Sequence, residues 1–276
     1  MKIKSYIFLI MLIPSIFSCR RVEPRFRSEV DAFMKTLPAE STVQQEPHGL
    51  PAPLVRHLYA CGYIGKPSVT AFEVIWAESA IRMKPGGPWM KLETRQLNGS
   101  RPPFRIAYMK TYLLKIIPFE GRDLLHEKGA SMWGRIGGVK DIFDVSGPEL
   151  TQSAMITWLA EILLMPGVLG DSLLTWHQVS DTSIDVSLSY QGAKVSGRFF
   201  FDKEGRAWKF ESPDRYFSKP DGSFEKIPWT AIFTDYQTGS EGIMTPTRVS
   251  ALWHLPDGDY EYWKGRIAQI IPLVGN

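Results

Sequence analysis

The chain has 276 residues, 44 % of them hydrophobic and 12 % aromatic, so it can bury a sizeable core, and one large domain is more natural than two. A formal charge of +3 excludes the strong basic field that a nucleic-acid partner requires. Two cysteines exclude a disulfide framework, and the absence of a metal-ligand spacing, phosphate loop or nucleophile elbow leaves no cofactor to expect.

Residues 1–18 read as a secretory leader. Lys2 and Lys4 precede a mostly apolar run from Tyr6 to Phe17 that is shorter than the roughly 20 residues a stable span needs. The leader closes on Ile16-Phe17-Ser18-Cys19, which resembles the lipobox of bacterial lipoproteins. That resemblance implies acylation of Cys19, which becomes the new N-terminus and a membrane anchor through its acyl chains. Removing residues 1–18 leaves 30 basic and 29 acidic side chains. The implied location is the cell envelope, facing the periplasm or the cell surface. Arg20, where an Asp would retain some lipoproteins at the inner membrane, favours the outer membrane.

Residues 19–47 are polar and hold Pro24, Pro38 and Pro47, which suggests a tether carrying one short helix; the globular domain is expected over 48–276. Leu54, Leu58 and Cys61 share one face of a short helix that Gly62 ends. With Cys19 acylated, Cys61 has no partner in the chain and is expected as a buried small hydrophobe. Strands follow. Phe72, Val74 and Trp76 alternate with Glu73 and its neighbours, and Val186, Leu188 and Tyr190 with Asp185, Ser187 and Ser189. Gln191-Gly192 and Asp202-Lys203-Glu204-Gly205 reverse the chain between apolar runs, and Trp208 and Phe210 are expected on one face. Hairpin after hairpin with one apolar face is an antiparallel meander.

One helix interrupts the meander. Ser146-Gly147-Pro148-Glu149 has capping-box spacing, and Pro166-Gly167 stops a segment with little polar surface. A helix apolar nearly all round must be covered by protein. The expected fold is therefore mainly β (α+β): an antiparallel curled sheet, or half-barrel, around one apolar helix. Trp158, Leu159, Glu161 and Ile162 are the candidate pocket residues. An unpaired Glu161 in such a helix would be costly, so it either joins an ion pair, with Arg122 or Arg215 as candidate partners and Asp123 nearby, or sits in a ligand pocket with its proton retained.

Leu50-Pro51-x-Pro53-x-Val55-Arg56, Pro88-Trp89-Met90, Pro103-Phe104-x-x-Ala107 and Gly121-Arg122-Asp123 occur in that order. Leu159-Ala160-Glu161-x-x-x-x-Pro166, Phe201-Asp202-x-x-Gly205-Arg206 and Arg215-Tyr216 follow, and the series closes with Pro246-Thr247 and Trp253-x-Leu255-Pro256-Asp257-Gly258. Together they resemble a bacterial family catalogued as a domain of unknown function, number 6544 in its series, from about Leu50 to Ile270. The architecture is similar to the half-barrel of lipoprotein carriers. It implies a monomeric, non-enzymatic binder of a lipid or other apolar ligand. Two alternatives stay open: an envelope hydrolase using Glu161, Asp123 or His126, and a protein-binding scaffold without a pocket.

Overall fold

The computed structural model describes residues 21–39, 42–45, 48–219, 222–239 and 241–275. The expected leader and Cys19 lie outside the described residues. Helix α1 (Val22–Met34) and helix α2 (Ala52–Ala60) precede six strands, β1 (Ala71–Ile81), β2 (Met90–Gly99), β3 (Phe104–Leu113), β4 (Ile117–His126), β5 (Gly129–Ile136) and β6 (Lys140–Ser146). Helix α3 (Pro148–Ala160) leads to β7 (Leu174–Ser180), β8 (Ser183–Tyr190), β9 (Ala193–Phe201) and β10 (Ala207–Ser212). A short hairpin of β11 (Tyr216–Ser218) and β12 (Phe224–Lys226) comes next, then β13 (Trp229–Thr238), β14 (Met244–Leu255) and β15 (Gly258–Pro272).

Thirteen of these strands form one antiparallel sheet, ordered β6-β5-β4-β3-β2-β1-β15-β14-β13-β10-β9-β8-β7. Each strand therefore pairs with a chain neighbour except where β1 meets β15 and where β10 skips the hairpin to meet β13. The two sheet edges, β6 and β7, are joined through α3, so the helix must cross the sheet. It touches both β5 and β9, which lie nine places apart in the sheet order. A flat sheet would separate them by about 43 Å at ~4.8 Å per strand, against ~20 Å of helix at 1.5 Å per residue. The sheet must therefore curl round α3.

Strand alternation gives the sheet two apolar faces. Along β3, Phe104, Ile106 and Tyr108 are buried on the convex side, while Arg105, Ala107 and Met109 face the helix side. The convex cluster is roofed by α1, whose Val22, Phe26, Val30 and Phe33 recur at helical spacing. Phe33 stacks on Phe104 with ring centroids 4.0 Å apart. Gly99 is required there, since a Cβ would lie 2.0 Å from the Phe33 ring. Val22–Met34, inside the segment expected as a tether, thus packs on the folded body, anchored also by Glu29 to the buried Arg122 at 3.1 Å. Its apolar stripe was masked in the sequence by the charges between its members.

Two local expectations are corrected. Trp208 is 40 % exposed while Phe210 is fully buried. A bulge between Ala207 and Lys209 lets Ala207 take the inward place and turns Trp208 out to meet Phe200. The capping box at Ser146 does not form. Gly147 is the N-cap and makes no side-chain cap, and the Thr151 hydroxyl bonds the Gly147 carbonyl instead. The helix stops at Ala160, and a 3-10 turn carries Ile162–Leu164.

Candidate functional site

Between α3 and the concave face lies a cavity of about 230 Å³. The helix offers it Leu150, Ser153, Ala154, Thr157 and Ala160, and the turn after it Glu161 and Leu164, a stripe at spacings of three and four that puts small and polar residues on one side. Met155, Ile156, Trp158, Leu159 and Ile162 are fully buried but do not line it. Of the four residues expected to line a pocket, only Glu161 does so. Trp158 instead donates from Nε1 to the Gly99 carbonyl at 2.7 Å, pinning the end of α3 to the β2–β3 turn. The reason is steric. Large side chains fill the tight contacts, and the face bearing Ser153, Ala154 and Thr157 is too small to close the gap.

At one end of the cavity Glu161 meets Arg105. Arg105 Nε lies 2.9 Å from Glu161 Oε2 and its Nη1 lies 3.2 Å from Asp123 Oδ2, while Asn98 donates to Glu161 Oε2 at 2.6 Å. Burial opposes the Arg105 charge, but the Glu161 and Asp123 carboxylates outweigh it and hold the guanidinium more basic than usual. Arg105 is thus the partner that sequence reasoning missed. Its place between Phe104 and Ile106, on a strand apolar on both faces, was the available signal.

The expected partners fall elsewhere. Successive residues of a strand point to opposite faces, so Asp123 faces the cavity while Arg122 faces α1 and pairs with Glu29. His126 shares the Arg122 parity and feels Glu29 and Arg122; its ring accepts the Lys128 N–H at 3.1 Å, and burial lowers its pKa. The set Glu161, Asp123 and His126 is therefore not brought together. Arg215 lines the cavity but pairs with neither Asp123 nor Glu161, whose ion pairs among the described residues are with Arg105. Instead its Nη1 donates to the Tyr262 hydroxyl at 3.0 Å, and its guanidinium lies 4.3 Å from the Trp229 ring centroid.

His57 of α2 also lines the cavity. Burial holds its pKa down to about 4, so it is neutral at pH 7, with Nδ1 3.1 Å from the Gly205 carbonyl and 3.3 Å from the Ala207 nitrogen. Cys61 Sγ lies 3.6 Å from His57 Nδ1, and burial pushes its thiol up to about 12, which makes it inert. Across β13, β14 and β15, Thr230 Oγ1 is 2.7 Å from His254 Nε2, and His254 Nδ1 is 2.7 Å from Asp259. Thr230 is 2 % exposed, and the three residues form a cross-strand polar ladder. Among the described residues no cluster of three His, Cys, Asp or Glu side chains suits a metal ion. None of the described helices is long and apolar enough to cross a membrane.

A family model described as a family of unknown function (DUF6544) matches residues 40–265. No curated protein matches the sequence. Among solved structures, the chain is similar to a LolA superfamily protein from Nitrosomonas europaea, with 14 % identity and a TM-score of 0.41, over 78 % of this chain and 90 % of that one. It is also similar to a DUF1329 family protein from Desulfovibrio piger, with 10 % identity and a TM-score of 0.37, over 81 % of this chain and 92 % of that one.

Proposed function

The chain belongs to DUF6544, a family of unknown function, and from its geometry we propose a non-enzymatic envelope lipoprotein that holds one apolar ligand beneath α3. The observation that carries this reading is the cavity of about 230 Å³ left between helix and sheet. Its walls draw on Val74, Ala107, Leu164, Phe233 and Met244 as well as the polar cluster round Arg105. Apolar walls with a few fixed polar groups are the usual form of a small-molecule site. The hydrolase alternative loses support because Glu161 and Asp123 are both tied to Arg105 and His126 faces away from them.

The leader and Cys19 support membrane anchorage. In this reading the folded domain starts at α1, so that Arg20 and Arg21 alone separate the acylated cysteine from it. The body then sits against the bilayer surface rather than at the end of a tether. Native mass spectrometry of the full-length chain purified from membranes tests ligand binding. A lipid-sized mass adduct, with displacement of a fluorescent fatty acid from the cavity, is expected. No adduct and no fatty-acid binding would overturn the reading. Fatty-acid labelling in cells tests the anchor, and label retained by Cys19→Ser would refute it.

A further inference from the structure

The ionised groups on the cavity wall are Arg105, Asp123, Glu161 and Arg215. The first three satisfy one another, whereas Arg215 has no carboxylate at ion-pair distance among the described residues. Its surroundings supply donors and aromatic faces instead. The Tyr262 oxygen accepts from Arg215 Nη1 at 3.0 Å and from Trp229 Nε1 at 3.3 Å. Both lone pairs of that oxygen are then engaged, and its own proton is left to donate. Arg215 Nε is buried without a hydrogen-bond partner, as is Nε1 of Trp76, another wall residue. A guanidinium set against Trp229 and Trp253, 4.3 and 5.1 Å from their ring centroids, is positioned by stacking and has no counter-ion among the described residues. A cation with no carboxylate partner among the described residues, with a free N–H of its own and another on Trp76 along the same wall, is suited to an anion.

The cavity size limits what carries that anion. A volume of about 230 Å³ falls below the ~300–1,000 Å³ of pockets for drug-sized ligands, so it suits one chain rather than a two-chain lipid. We propose that the ligand is a single-chain amphiphile with a small anionic head, a carboxylate or phosphate monoester, bound at Arg215 and Tyr262 with its chain along Leu164, Phe233 and Met244. This rests on the binding reading above and adds the head-group chemistry to it.

Calorimetric titration of the full-length chain at pH 8 with dodecanoate, dodecyl phosphate and dodecanol, each below its micelle concentration, tests the inference. Both anions should bind about 10- to 100-fold tighter than the alcohol, as a charge-assisted contact implies. Arg215→Met should bring the anions to the level of dodecanol and leave dodecanol itself unchanged. Tyr262→Phe should remove part of the advantage. If Arg215→Met fails to fold, the comparison of acid with alcohol on the wild type still decides. Tighter binding of dodecyl phosphate than of dodecanoate would assign a phosphate source, and the reverse a free fatty acid. Equal binding of dodecanoate and dodecanol would overturn the anionic head while leaving the apolar-ligand reading standing. No binding of any of the three would overturn both.

Discussion

Arg105 holds two carboxylates that would otherwise face an apolar cavity, so its removal should be felt throughout the domain. Arg105→Met keeps most of the side-chain volume and leaves Asp123 without its cation and Glu161 with Asn98 as its remaining donor. The Arg105 side chain is 12 % exposed, Glu161 19 % and Asp123 23 %, so water screens the stranded charges poorly. Breaking a buried pair by deleting one partner typically costs about 3–5 kcal/mol. For a domain of this size that corresponds to a fall in Tm of about 6–20 °C at ~2–4 °C per kcal/mol. Near-UV circular dichroism melts at pH 7 measure it. Arg105→Met combined with Glu161→Gln and Asp123→Asn should recover most of the loss, because no uncompensated charge remains. A loss under about 1 kcal/mol would refute the buried network.

Three further outcomes are expected. Gly99→Ala drives a Cβ to 2.0 Å from the Phe33 ring, so it should cost about 1–3 kcal/mol by overpacking. Denaturant titration should show that penalty vanish in the Phe33→Ala background. Two adjacent helix residues should behave in opposite ways. Thr157→Leu points into the cavity and should abolish ligand binding with little change in stability, whereas Trp158→Ala should cost about 3–5 kcal/mol without altering ligand preference. For His57 the folded pKa of about 4 lies below the unfolded value of about 6.5. The unfolded chain therefore takes the proton first, and stability is lost as pH falls from about 6.5 towards 4. Relative to His57→Gln, the wild type should lose about 2 kcal/mol between pH 7 and pH 5 in urea titrations.

The parts of this fold legible in the sequence are those where one residue's environment follows from its neighbours. Ile184, Val186 and Leu188 alternate with polar residues and are fully buried on β8. Gln191 and Gly192 take the two positive φ values, 51° and 77°, that a tight hairpin turn needs. The apolar residues gathered in α3, Ala154 to Ile156 and Trp158 to Ala160, correctly demanded a covering sheet. What escaped were decisions made between distant segments. Val22, Phe26, Val30 and Phe33 form a stripe whose meaning depends on the second apolar face of β3 and β4, and a strand read for one core face conceals the other. The bulge that turns Trp208 outward depends on the pairing of β10 with β9, which alternation within β10 does not contain.

The site follows the same logic more severely. Arg215, Trp229 and Tyr262 come from the root of the β11–β12 hairpin, from β13 and from β15, and only the sheet order brings them together. The helix that roofs the cavity is held at both ends by polar contacts. Thr151 Oγ1 accepts the Ala130 N–H at 2.9 Å near its start, Ser153 Oγ accepts the Tyr216 N–H at 3.0 Å in its middle, and Trp158 and Glu161 bond the β2–β3 region at its end. Between those clamps it presents Ala154 and Thr157 rather than leucines. A helix fixed at its ends cannot settle onto the sheet to close the gap left by small side chains, so the void persists. Because Ser153 bonds the residue next to Arg215, this mid-helix contact adds to the stacking and the Tyr262 bond that position the cation. With the head site as proposed, Ser153→Ala should weaken anion binding without removing any charge from the cavity.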